Sequence, residues 1–205
     1  MLGRLRPQRS GDEAFWRDAL VMAAVAERAA ALIDVCGESG FARRTLPVLD
    51  AVWDGVSKAR RADGPNPLRS LERLAGPKEP DDDTPAYLAL AAVEGLVAAA
   101  VMAFRVERYG DPTGVGHNIH GALDGVIHFA LDPRPIIVDP RNPLPSGPFE
   151  AREYAACLQD QDTATGEPFT AAATGIRARA RSGREMLRAD IRRALSEVRA
   201  FGRDW

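Results

Sequence analysis

The chain has 205 residues, 45% of them hydrophobic, enough to bury a substantial core in one domain without staples. Its 27 basic and 29 acidic side chains leave a formal net charge of −2, so overall electrostatics gives no reason to expect nucleic acid or an anionic membrane as partner. Cys36 and Cys157 both fall in helix-like stretches without metal-ligand spacing and read as free thiols of a reducing, cytoplasmic compartment.

Residues 1–10 carry Arg4, Arg6 and Arg9 but no apolar run, and are expected to be a flexible N-terminus and not a signal peptide. A first helix is predicted from Asp12 to Cys36, ended by Gly37 and Gly40, with Leu20, Met22, Val25, Ala29, Leu32 and Ile33 as its apolar positions. A second covers Phe41 to Arg61. Pro47 lies inside it, which predicts a restart with Thr45 as cap and a buried stripe of Leu46, Leu49, Val52, Trp53 and Val56. After a break at Gly64, Pro65 and Pro67 comes a short helix to Ala75, then an exposed loop from Gly76 to Pro85.

Thr84 and Pro85 stand in the order of an N-cap and a first helical position, opening the Ala-rich helix expected at the centre of the fold. Its stretch Tyr87 to Phe104 is apolar enough to suggest a membrane span. Glu94 at its middle and its alanines argue for a buried core helix instead. A further helix is predicted from Pro112 to Leu131. Six prolines between Asp132 and Pro148 exclude helix there, leaving Ile136 to Val138 as one short extended segment. Helix resumes from Phe149 to Asp160, a turn spans Thr163 to Pro168, and an Arg-rich helix follows over residues 170–203. With no strand-like alternation of useful length, the expected fold is all-α: a single-domain bundle of about seven helices around one Ala-rich helix.

His117, His120, Asp124 and His128 recur at spacings of three, four and four, one stripe of a helix, and imidazole plus carboxylate suits a divalent transition metal. The ends of the stripe are about 16 Å apart by helix rise, so only His117, His120 and Asp124 can share an ion. Ile119, Leu123, Val126, Ile127 and Ala130 define the apolar face, which places the histidines toward solvent or a partner. Glu94, a lone acid in the most apolar helix, is a candidate general acid or base. Asp81, Asp82 and Asp83 directly precede a helix, where negative charge favours the dipole, and no second acidic motif accompanies them. From Ala171 onward nine arginines face four acids, net +5, whereas residues 1–170 are net −7. An arginine helix lying against an acidic body accounts for this more simply than nucleic-acid binding.

Ala26, Glu27 and Arg28 in the first helix, followed by a Gly-containing turn and Leu46-Pro-Val-Leu-Asp-Ala-Val-Trp-Asp-Gly-Val56, resemble the YjaG-like family of bacterial proteins of unknown function (domain of unknown function 416). Ala29 stands where that family has leucine. The acidic loop and Ala-rich helix, Asp81 to Phe104, and the amphipathic helix Asn118 to Leu131 extend the likeness over residues 12–131. The Pro-rich segment and the Arg-rich helix depart from it. The resemblance implies a compact all-helical fold and carries over no catalytic residue.

With no complete catalytic motif, the sequence leans away from an enzyme. It points to an interaction domain, immunity-like or regulatory, whose partner is another protein or a second copy in a homodimer. The alternative is a metal-dependent helical-bundle enzyme using His117, His120 and Asp124.

Overall fold

The computed structural model describes residues 10–37, 40–75, 84–131 and 147–200. Most of the predicted loop Gly76 to Pro85 with Asp81 to Asp83, the segment Ile136 to Val138 with nearly all of the Pro-rich stretch, and residues 201–203 of the predicted Arg-rich helix lie outside them, as does nearly all of the N-terminus. Among the described residues the chain is all helix and turn: α1 (Ser10–Cys36), α2 (Phe41–Val56), α3 (Leu68–Ala75), α4 (Pro85–Ala100), α5 (Pro112–Leu131), α6 (Pro148–Gly166) and α7 (Phe169–Ala200). This is the all-α single-domain bundle expected.

Two Ala-rich helices share its interior, and the axis itself belongs to α1. Alanine favours helix and lets neighbouring backbones approach closely. From Ala19 to Ile33 every α1 side chain is buried, Glu27 and Arg28 included. The helix packs along α4 and α7 and also touches α2, α5 and α6. A helix enclosed on all sides cannot be told from a one-sided one when two of its residues are charged, which is why α1 reads as amphipathic in sequence.

The remaining helices follow local chemistry. Thr84 caps α4, its Oγ1 accepting from the Tyr87 N–H at 3.3 Å with Pro85 next in line, as the sequence predicts. α4 runs on into a π-helical turn, Val101–Arg105, and stops at Val106 in the left-handed region (φ 58°). The Ala103 carbonyl there accepts from the Ala62 N–H at 2.8 Å, so the loop after α2 satisfies a group the helix end leaves open. The segment Pro85–Arg105 is long and apolar enough to cross a membrane, yet 67% of its most apolar stretch is buried against this chain's own helices, the setting of a core helix.

Three predicted boundaries need correction. α2 ends at Val56 and not at Arg61, because the chain turns through residues 57–60, with Ala59 in the left-handed region (φ 48°). α2 is continuous through Pro47, and Thr45 does not cap a restart. Its buried hydroxyl donates to the Phe41 and Ala42 carbonyls, at 3.1 and 3.3 Å, holding together the turn that Pro47 weakens. α6 extends to Gly166 and so absorbs most of the predicted turn: the Thr163 and Thr165 hydroxyls bond back to the Gln159 and Gln161 carbonyls, leaving Glu167 and Pro168 to reverse the chain. Arg17 of α1 anchors that reversal by donating to the Glu167 carbonyl at 3.1 Å.

Candidate functional site

Glu27 and Arg28 are consecutive on α1, so they leave the helix about 100° apart and enter two different clusters. Arg28 reaches α6. Its Nε and one terminal nitrogen donate to the two Glu153 oxygens at 2.8 Å each, and the other terminal nitrogen donates to Asp160 Oδ2 at 2.7 Å. Glu153 and Asp160 lie seven residues apart, two turns along one face of α6, which is the separation one guanidinium fork can span. Arg179 of α7 closes the cluster on Asp160 Oδ1 at 3.0 Å and on the Thr163 hydroxyl at 2.8 Å.

Glu27 points to α2 and α7 instead. Its Oε2 accepts from the Trp53 indole N–H at 2.8 Å, and its Oε1 accepts from Arg184 of α7 at 3.0 Å. Arg184 also grips Asp34, seven residues beyond Glu27 on α1, with bonds from 2.8 to 3.0 Å. Arg177 stacks over the Trp53 ring at 5.5 Å. The arginines of α7 therefore serve the body of the molecule, as the charge asymmetry suggests.

The electrostatics follow from burial and pairing. Burial works against the Arg28 charge, but Glu153 and Asp160 more than restore it, so its pKa stands above the ordinary arginine value. Burial also disfavours the Glu153 carboxylate. Arg28 outweighs that, aided by neighbouring groups, and Glu153 stays below the usual glutamate range. Burial pushes the Cys36 thiol up to about 12 and the Cys157 thiol higher still, so neither is a thiolate nucleophile at neutral pH.

His120 joins the Arg28 cluster from α5, which corrects the expectation that the histidine stripe faces outward. Its side chain is 2% exposed. Nδ1 lies 3.0 Å from the Gly116 carbonyl, which can only accept, so Nδ1 carries the proton and Nε2 presents its lone pair. Nε2 sits 3.8 Å from Glu153 Oε2 and has no hydrogen-bond partner among the described residues. Burial lowers the pKa of His120 and keeps the ring neutral. The helical wheel misses this because α5 has two covered faces, Ile119 and Leu123 in the main core and His120 against α6. Gly116 makes that second contact possible: a Cβ there would meet Glu153 Cγ at 3.1 Å. Gly183 does the same on α7, where a Cβ would meet Arg28 Cδ at 3.0 Å.

The other predicted residues are dispersed. His117 is exposed and lies 2.8 Å from Glu150, and His128 is exposed near the end of α5. Asp124 caps α6 from outside: its carboxylate accepts from the Phe149 and Glu150 N–H groups at 3.3 and 2.8 Å, over Gly147, where any Cβ would collide with it. Half-burial raises the Asp124 pKa, and those bonds only partly offset it. His117 and Asp124 thus engage Glu150, at its side chain and its backbone N–H respectively, whereas His120 turns to Gly116 and Glu153. No group of three or more His, Cys, Asp or Glu placed to hold a metal ion occurs among the described residues. Glu94 is exposed on the solvent side of α4, so the apolar burial that a general-acid role needs is missing.

A cavity of about 220 Å³ opens beside the Arg28 cluster, between α6 and α7, with His120, Glu153, Asp160 and Arg28 among its lining residues. Sequence reasoning missed Glu27, Arg28, Glu153, Asp160, Arg179 and Arg184 as a group. The one available signal is charge within an Ala-rich helix, answered by two acids seven residues apart on α6 and by the arginines of α7. No protein-family model, curated protein or solved structure matches the chain.

Arg28→Met is expected to destabilise the protein by about 3–5 kcal/mol, because it leaves Glu153 as an uncompensated buried charge. Adding Glu153→Leu should recover at least about half of that, since Asp160 keeps Arg179; urea unfolding of the single and double variants measures both.

Stability should also fall with pH in two stages. Below the ordinary histidine value of 6.5 the unfolded chain takes up a proton that native His120 refuses. Below the ordinary glutamate value of 4.5 the same holds for Glu153, while Asp124, with its raised pKa, works in the opposite direction. His120→Gln should flatten the first stage and Glu153→Gln the second, in urea midpoints measured across this range.

Proposed function

We propose that the chain is a non-enzymatic protein-interaction domain, immunity-like or regulatory, that docks a helix of a partner protein on the outer face of α6. The observation carrying this reading is the composition of that face. Ala151, Tyr154, Ala155 and Leu158 recur at helical spacing and all are exposed, Tyr154 at 51% and Leu158 at 41%. Two large apolar side chains alternating with two alanines suit the knobs-and-holes contact of a second helix, whose apolar stripe would cover them.

The interior supports the same reading. Glu153, Asp160, Glu27 and Asp34 are saturated by Arg28, Arg179 and Arg184, so the buried acids serve as structural counter-charges. The engagement of α7 arginines with those acids makes nucleic acid a weaker partner. Membership in the YjaG-like family is part of the same proposal; it rests on the Ala26–Arg28 and Leu46–Val56 segments and adds no catalytic residue.

Mixing the purified protein with the products of its neighbouring genes, followed by size-exclusion chromatography, tests the reading. One neighbour should co-elute, and Leu158→Glu should weaken that complex at least about tenfold while leaving the helical circular dichroism unchanged. Self-association that Leu158→Glu abolishes would make the partner a second copy of the chain. A protein that stays monomeric and binds none of its neighbours would sink the proposal.

A further inference from the structure

Met186 of α7 is the most exposed large apolar side chain among the described residues, at 57%. Glu185, Ala189, Arg192 and Arg193 surround it, all exposed, on the side of α7 away from its buried edge of Leu187, Ile191 and Leu195. Two of the charges there are left with little to hold. Glu185 has its own Arg188 at 3.7 Å, beyond hydrogen-bond distance, and the Arg192 side chain forms no ion pair among the described residues.

The order of these residues suits one kind of neighbour. Seven residues bring a helix back to within about 20° of the same direction, so Ser182, Ala189 and Ser196 lie along one line. Glu185 and Arg192 flank that line on one side, Met186 and Arg193 on the other. A two-fold axis crossing α7 at Ala189 sets a second copy antiparallel and lays each flank against the same flank of the copy. Glu185, four residues before the axis, then comes level with Arg192 of the copy, three residues after it. Symmetry makes that ion pair twice. On the other flank Met186 meets the alkyl stem of Arg193, and alanine on the axis lets the helices approach. A parallel pairing would instead set Arg192 against Arg193 of the copy, like charge on like.

We propose that α7 pairs with α7 of a second copy of the chain, antiparallel about Ala189 and held by two reciprocal Glu185–Arg192 ion pairs. The contact goes beyond the α6 reading and is separate from it, since Tyr154 and Leu158 lie on another helix. One pair of helices stands at the small end of specific interfaces, which makes this a reversible dimer.

Sedimentation velocity across the micromolar range should show that dimer, weakening as salt rises because the pairs are exposed. Glu185→Arg and Arg192→Glu should each weaken it about tenfold, with the helical circular dichroism unchanged. The double variant Glu185→Arg with Arg192→Glu exchanges the signs and should return the affinity to within about threefold of the original. Mixing the two single variants should likewise give a heterodimer, since every facing pair is then opposite in charge. Leu158→Glu should leave the dimer intact. A monomer at every concentration, a dimer indifferent to either reversal, a double variant no better than the singles, or a dimer lost on Leu158→Glu would overturn the proposal. Complex formation through α6 is read from binding to neighbouring gene products, so the two proposals can fail independently.

Discussion

Arg28 sits at the middle of the most enclosed helix with its whole guanidinium out of water, and the arrangement of α6 and α7 follows from what that group requires. A buried arginine needs carboxylates in its plane, and α6 provides two of them two turns apart. Sliding α6 by one residue would turn both acids away by about 100° and strand a charge in the core. The pairing therefore sets the rotation and register of α6 on α1 far more sharply than apolar contact would. The same device recurs with the roles exchanged: Arg184 of α7 spans Glu27 and Asp34, two turns apart on α1. Arg179 then joins α7 to α6 through Asp160, and ion pairs link the three helices in a closed triangle.

Such a triangle adds little net stability, since desolvation consumes most of what the ion pairs return. Its contribution is specificity. An Ala-rich core offers shallow ridges, so α1 could pack in several rotations at similar energy, and the arginine bridges separate one of them from the rest. Gly116 and Gly183 are the steric counterpart, admitting the acid and the arginine chain where a methyl group would push them apart.

His120 is the place where that economy is incomplete. Every other ionisable group in the Arg28 cluster is paired, while His120 Nε2, 3.8 Å from Glu153 Oε2, has no hydrogen-bond partner among the described residues. Natural cores rarely leave such an atom unsatisfied without a use for it.

Helix content, the Thr84 cap with Pro85, and the α5 boundaries were legible in the chain, because caps, prolines and apolar spacing act over a few residues. The affinity of the C-terminal arginines for an acidic body was legible too, as charge asymmetry. The burial of His120, the exposure of Glu94 and the enclosure of α1 were not, because each depends on which helices cover a given face. A helical wheel orders side chains around one rod and is silent about the number of rods around it. The pairing of Arg28 with Glu153 and Asp160, more than 120 residues away, exists only once three helices meet, so packing alone decided where this protein keeps its charges.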